Sequence, residues 1–292
     1  MAEKVSTFSK AASPVAALKA SPVAARKASP VAASPLKTYT ITYGDVAENH
    51  ARMQQIGTLH DNGYPLATLQ RVASRLREEG VECEQYDLHD YVSNADLVDP
   101  TKEIEPAHLL VIRKGAQHIL QSEDTTSLMA ENDALDMDKH ALMKGRVVNK
   151  HARWNLCFAE EAQEPDYETG KGRVIPWGEI PLMSKIRHAI AEWTEDTLLN
   201  GEANYYYDIS KCGIGFHGDG ERKKVVAVRM GASMPLYYQW YQRSTAVGPR
   251  IKLDLYDGDM YMMSEKAVGF DWMKKTIPTL RHATGCDKFT TP

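Results

Sequence analysis

The sequence predicts an α+β protein whose C-terminal half is an antiparallel barrel or jelly roll. Three observations carry that expectation. From Ala203 onward, short strand-like runs follow one another with turn residues between them and no helices, a pattern that pairs strands antiparallel. Residues 38 to about 135 instead mix strand-like and helical stretches, as a small α/β unit would. The first 37 residues repeat Ala-Ser-Pro-Val-Ala-Ala with a proline every eight positions, which blocks a helix and offers nothing to build a core.

Taken in order, residues 1–37 read as a disordered basic tail, a solvated arm with Ser-Pro sites that could carry phosphate. Thr38–Tyr43 is β-branched and aromatic, hence a strand. Asp45–Ile56 and Leu66–Glu79 read as helices. In the second, Leu66, Leu69, Val72, Ala73 and Leu76 recur at helical spacing and Gly80 marks its end. Val81–Leu88 and His108–Arg113 read as strands, and Gln117–Gln121 as the start of a short helix. Glu48, Asn49 and His50 stand together, but no partner motif accompanies them, so no catalytic role is assigned. A basic, aromatic-bearing stretch follows with Lys144, Arg146, Lys150, His151, Arg153 and Trp154. Ile180–Glu192 is an amphipathic helix opened by Pro181 at a first-turn position. The strand runs after it are Asn204–Ile209, Val225–Val228, Leu236–Tyr241, Ile251–Leu255, Met260–Met263 and Thr279–His282. A first boundary falls at residue 37 and a second near 140, giving a small α/β domain of unassigned role at 38–140.

Composition excludes several classes. The chain has 292 residues, 43% hydrophobic and 25% charged, which is ordinary for a globular protein and unlike a disordered acidic chain or a disulfide miniprotein. Its four cysteines, Cys83, Cys157, Cys212 and Cys286, are far apart, as reduced thiols of an intracellular protein (cytoplasm or nucleus) would be. No apolar run is long enough to span a membrane, and no signal-peptide pattern opens the chain. The net charge of -4 is uneven: the tail carries +5, which leaves -9 on the rest. Nucleic acid, if it is the partner, must therefore be met by local basic patches.

The chemistry concentrates in Cys212-Gly-Ile-Gly-Phe-His217-Gly-Asp219-Gly-Glu221-Arg222. His217 and Asp219 are two apart, so on a strand both project from one face. An imidazole and a carboxylate so placed can begin a 2-His-1-carboxylate set, which leaves open coordination positions on iron. After His217 the chain has one more histidine, His282, in a late strand-like run. If the His-x-Asp binds iron this way, His282 is the second imidazole.

With these residues in place, the stretch 141–292 resembles the AlkB-like Fe(II)/2-oxoglutarate dioxygenases, built on a double-stranded β-helix (a jelly roll) with supporting helices. The resemblance rests on order. The basic-aromatic stretch Lys144–Phe158 precedes the Pro181–Glu192 helix, the Tyr-rich Asn204–Tyr207, the His217–Arg222 run, Gly258-Asp-Met-Tyr-Met-Met263 and His282. It implies Fe(II) held by His217, Asp219 and His282, with 2-oxoglutarate and O2 as cosubstrates and no catalytic residue beyond the metal centre. By the same resemblance Tyr207 helps hold 2-oxoglutarate, although the family's Asn two residues earlier is replaced by Tyr205. The family's arginine after the last ligand is missing too. Lys288 is the sole cation after His282, and so the candidate for the far carboxylate; Arg281 would point away from His282 on a strand.

On substrate, the lid candidates Lys150, Arg153 and Trp154 suit phosphate and base stacking. Glu221 and Arg222 match a position that meets the substrate or lid in some relatives. The resemblance implies oxidative demethylation or hydroxylation of a nucleic-acid base, single-stranded or flipped. A protein or small-molecule substrate for the same iron centre is an open alternative, as is a non-enzymatic binding or structural protein on a decayed oxygenase fold.

Overall fold

The computed structural model describes residues 37–292. Apart from Lys37, the tail expected at 1–37 lies outside the described residues.

The first strand forms where its composition places it: β1 (Thr38–Gly44), buried along its whole length. The helix expected over Asp45–Ile56 does not form. A hairpin of β2 (Val46–Glu48) and β3 (Gln55–Gly57) stands there instead. Its reason is tertiary. The buried Asp45 carboxylate accepts the backbone N–H groups of His60, Lys223 and Lys224, pinning the chain just where a helix would begin, and Ala47 buries against Cys157 and Val174. Gly57, at φ +105°, closes the hairpin where a Cβ would sit 2.2 Å from the Asn200 amide.

The helix α1 (Leu66–Glu78) buries the predicted Leu69, Val72, Ala73 and Leu76. Two strands follow, β4 (Cys83–Asp87) and β5 (His108–Ile112), then α2 (Gly115–Leu120). A further helix, α3 (Thr126–Asp133), buries only Leu128 and Asn132, and so left no periodic signature in the sequence. The basic stretch folds into a hairpin, β6 (His140–Met143) with β7 (Arg146–Asn149), and then β8 (Trp154–Ala159) and β9 (Val174–Pro176). After these come α4 (Pro181–Thr194), started by Pro181 as expected, and β10 (Asn200–Tyr206). The C-terminal strands are β11 (Gly213–His217), β12 (Val225–Gly231), β13 (Leu236–Gln242), β14 (Thr245–Leu253) and β15 (Met260–Met263). The chain closes with α5 (Glu265–Val268), β16 (Thr279–Gly285) and α6 (Asp287–Thr290).

The protein is thus mixed α/β, mostly strands in antiparallel sheets, with few helices. One sheet has eight strands in the order β4-β5-β15-β12-β1-β10-β8-β9, antiparallel except for the β8–β9 pair; the other has four, β11-β16-β13-β14, all antiparallel. Helices α1 and α4 cover the outer face of the large sheet, where Leu69, Leu76, Ile186 and Ile190 pack with Ile41, Val228 and Phe158. Its inner face packs on the small sheet through Ala227, Tyr261 and Met263 against Tyr238, Trp240 and Leu280.

The expected boundary near residue 140 does not divide the sheet. β1 pairs along its length with β10 on one side and β12 on the other, and β5 pairs with β15, so 38–140 and 141–292 build one sheet together. The local α/β pattern of 38–135 carried no information about partners 150 residues away. No helix among the described residues is long and apolar enough to cross a membrane.

Candidate metal centre

His217 ends β11 and lies directly opposite His282 on β16, the two imidazoles facing each other at 4.4 Å between ring centres. The chain then leaves the strand through Gly218, which runs so close to the loop after α5 that a Cβ would stand 2.1 Å from the Gly269 carbonyl oxygen. Asp219 follows, anchored by its own N–H to the Val268 carbonyl at 3.0 Å. Its carboxylate Oδ1 is 3.4 Å from Nε2 of both His217 and His282. One ligand atom from each of the three residues lies within 4.8 Å of the others.

The protonation states suit a cation. His217 Nδ1 is 2.8 Å from the Gly215 carbonyl, which can only accept, so the proton sits on Nδ1 and the Nε2 lone pair faces the cluster. Burial, with His217 adding to it, lowers the His282 imidazole, while Asp219 opposes this. Burial alone would raise the Asp219 carboxyl, but His282, His217 and Arg222 outweigh it and hold it well below the usual carboxylate range. A carboxylate and two imidazoles, one lowered and the other with its Nε2 lone pair facing the cluster, are what a divalent transition metal requires.

The cluster opens on a cavity of about 520 Å³ between the sheets. From the large sheet come Thr40, Thr42, Glu202, Asn204, Tyr206 and Tyr261; from the small one, Ile214, Leu236 and Thr284. The β2–β3 turn supplies part of its rim with Glu48, His50 and Arg52. Burial, reinforced by Glu221, pushes the Glu48 carboxyl up to about 7.

Two sequence-based assignments need correction. Tyr207 lies just past β10 and turns outward, its hydroxyl donating to the His151 carbonyl at 2.7 Å and its ring stacking on Trp154. Strand alternation gives its place to Tyr206, which lines the cavity, with Asn204 two residues earlier on the same face. Lys288 is exposed on α6, its ammonium 5.5 Å from the Phe289 ring centre, and is not among the cavity-lining residues. It sits on the short C-terminal helix α6 (Asp287–Thr290). Arg281 does point opposite to His282, over Tyr241.

The lid candidates separate. Arg153 lines the cavity, its Nε donating to Asn204 Oδ1 at 2.5 Å. Lys150 instead bonds Asn49 and Asn155, and burial lowers its ammonium to about 8. Trp154 sits outside, between Tyr207 and the Lys139 ammonium. Glu221 and Arg222 both line the cavity. Arg222 is only 3% exposed and bonds Glu202 and Glu221, so the pair is buried, contrary to the solvated ion pair such a turn suggests.

Sequence reasoning missed Asn204, Tyr206 and the buried Arg229, and gave no role to Glu48 and His50, which line the cavity. Arg229 had a signal: it is the one charged residue in the apolar run Val225–Met230. The Glu48–His50 cluster was noticed but lacked a partner motif, because only the tertiary hairpin brings it to the cavity.

Fold and site define an antiparallel, strand-rich α/β protein with a part-buried His-Asp-His cluster lining a cavity between its sheets. No family model matches the chain. It is 47% identical over 253 residues to "Uncharacterized protein R156" of Acanthamoeba polyphaga mimivirus, a match covering 87% of this chain and 97% of that protein, and it belongs to the same family.

Proposed function

We propose that this chain is an Fe(II)/2-oxoglutarate-dependent dioxygenase of the AlkB-like kind on a double-stranded β-helix, oxidising a C–H bond of a nucleic-acid base. The observation that carries the reading is the convergence of His217 and Asp219 with His282, 63 residues further on, in the lining of one cavity. The donor set fits Fe(II), whose sites of this type use two imidazoles and one carboxylate and leave positions open.

His217, Asp219 and His282 would hold the metal. When bound, Fe(II) and 2-oxoglutarate allow O2 to be split, one oxygen leaving in succinate as CO2 is lost and the other entering the substrate C–H bond as hydroxyl. The chain's own residues bind, orient and exclude water. Burial raises the Tyr206 phenol, so it stays a neutral hydrogen-bond donor facing the cavity. The Asn204 amide is fixed between Arg153, Asn155 and Glu202, and so holds one orientation. Ile214, Leu236 and Tyr261 supply apolar wall. Cationic Arg52 and Arg153 at the cavity support a polyanionic substrate, and an N-methyl group hydroxylated there would be lost as formaldehyde.

The purified full-length chain, given Fe(II), 2-oxoglutarate and ascorbate, should release succinate. His217→Ala and Asp219→Ala should each lower that release by about 100-fold or more, consistent with loss of the group holding the metal. Absence of metal binding to the unaltered chain would overturn the reading. Formaldehyde from methylated single-stranded DNA but not from methylated peptide assigns the nucleic-acid substrate; the reverse assigns a protein substrate to the same centre.

A further inference from the structure

Arg281 stands next to a candidate metal ligand and takes no part in the centre. It precedes His282 on β16, and successive strand residues face opposite ways, so it emerges on the outer face of the small sheet. There its guanidinium lies against two rings, 4.0 Å from the centre of Tyr241 and 5.3 Å from that of Trp272. A guanidinium stacked on aromatic faces keeps the N–H donors on its edge free for another partner. Its Nε has no hydrogen-bond partner, and no carboxylate pairs with the group, among the described residues. Arg113 and Arg173, also half-buried, each bond a glutamate instead. Trp272 connects this arginine to the cavity. Its ring is part of the cavity lining, and a Cβ on Gly220, in the turn after the ligands, would stand 3.5 Å from the indole Nε1. Past Trp272 the chain exposes Met273 and Lys275, and no carboxylate among the described residues pairs with that lysine. The Lys275 carbonyl accepts the Arg243 N–H at 3.2 Å, which holds it beside the end of the strand that carries Tyr241. Half-buried Phe216, 6.1 Å from Tyr241, completes the patch.

Two cations without acidic partners, set among aromatic rings, stand out in a body whose net charge is -9. That chemistry matches a chain of phosphates carrying planar groups. A guanidinium edge forks onto a phosphate, and exposed rings take unstacked bases. A carboxylate ligand would use the cations and leave the rings idle. We propose that Arg281, with Lys275 as its second cation and Phe216 as a stacking surface, forms a phosphate-binding ledge for single-stranded nucleic acid flanking the base that enters the cavity. The proposal rests on the nucleic-acid reading and extends it: Arg52 and Arg153 meet the strand at the cavity, and Arg281 takes it up beyond Trp272. The strand is single because bases paired in a duplex offer no free faces to the rings.

Fluorescence anisotropy tests it without turnover: a labelled single-stranded oligonucleotide of about 12 nucleotides is titrated with the full chain at several salt concentrations. Arg281→Gln should weaken binding by about 3- to 10-fold and lower the slope of log affinity against log salt by about 0.7, the change expected for one phosphate contact on a single strand. Lys275→Gln should lower the slope by a similar amount. Arg281→Lys should keep the slope and lose part of the affinity, since an ammonium holds the charge without the fork. Affinity and slope unchanged in both glutamine variants, with the unaltered chain binding the strand, overturns the ledge and leaves the nucleic-acid reading standing. Weaker binding in Arg281→Gln with an unchanged slope and a lowered melting temperature identifies a structural prop, and overturns the ledge as well. Polyglutamate bound as tightly as the oligonucleotide, and weakened alike in Arg281→Gln, overturns nucleic acid as the partner of this surface. No binding of the oligonucleotide by the unaltered chain at low salt overturns both the ledge and the nucleic-acid substrate, while succinate release still judges the iron centre separately.

Discussion

Arg222 and Arg229 are both buried beside the same cavity, and they live in opposite surroundings. Arg222 bonds Glu202 and Glu221 and lies 3.8 Å from Asp219. Burial by itself would lower its guanidinium, but Glu202, Glu221 and Asp219 outweigh that and raise it well above its ordinary value. Arg229 bonds no carboxylate among the described residues, and burial lowers it. The first arginine is satisfied by the chain that carries it. Its role is to tie the turn after His217 and Asp219 to β10 through Glu202. The second has only the Thr284 hydroxyl within reach among the described residues. Burial alone does not distinguish a structural charge from a ligand site; the partner count does.

Truncation should separate the two most sharply. Arg222→Met leaves Glu202 and Glu221 facing each other without their cation and should destabilise the protein by about 3–5 kcal/mol in urea denaturation. Arg229→Met in the ligand-free protein should cost nothing or stabilise. Equal losses at the two positions would dissolve the contrast.

A smaller effect comes from the turn that links the ligands. Gly218→Ala drives a methyl to 2.1 Å from the Gly269 oxygen and 2.7 Å from the Trp272 Cβ. Relief of that clash should cost about 1–3 kcal/mol of stability. Asp219 must shift as the turn gives way, so Mn(II) affinity should drop as well; a Gly218→Ala chain that binds Mn(II) normally would show that the turn does not set the ligand geometry.

Glu48 offers a pH signature on the cavity rim. Its folded-state carboxyl titrates near 7, above the unfolded value of about 4.5, so the folded state binds the extra proton between those pH values. The associated stability is present below the unfolded value and is lost as pH rises through 7. Glu48→Gln should therefore match the parent near pH 4, pull ahead of it as pH rises from about 4.5 to about 7, and keep a constant margin beyond. Parallel stability curves would show that Glu48 is not held in the buried, acid-crowded setting described.

The smallest expected effect is at Lys288. Exposed on α6, it should change stability by less than about 0.5 kcal/mol when replaced by alanine, with 2-oxoglutarate affinity unmoved. Loss of that affinity in Lys288→Ala would show that the exposed C-terminal lysine reaches the cosubstrate after all.

What could be read from the sequence follows how local each signal is. Strand composition placed β1, β12, β13 and β15, and helical periodicity placed α1 and α4, because each depends on residues within one element. The three candidate metal ligands were legible for a similar reason: two lie within three residues, and the third was the sole histidine left. Tyr207 failed by one register step, which reverses the face a strand residue presents. The helix expected over Asp45–Ile56 failed because Asp45 is held by backbone groups at His60, Lys223 and Lys224. The boundary at 140 failed since strand pairing leaves no mark in either partner alone. Arg229 was visible as a charge in an apolar strand, but only the fold shows that two of its donors lack partners among the described residues.

The central position of β1 bears on how the protein comes to be made. Thr38 bonds the Met230 carbonyl 192 residues further along, so the first strand to leave the ribosome must wait for nearly the whole chain before its slot exists. At roughly 5–20 residues per second, that wait is on the order of ten seconds or more. Until β1 inserts, the neighbouring edges of β10 and β12 stay open to pairing with other chains. The centre's two strands β11 and β16 belong to the other sheet, yet Asn204, Tyr206 and Arg229 sit on the two strands that β1 joins. Closing the cavity is therefore a late event of synthesis, and a metal-binding fragment shorn of its first hundred residues would lack the strand that holds the two halves of its cavity wall together.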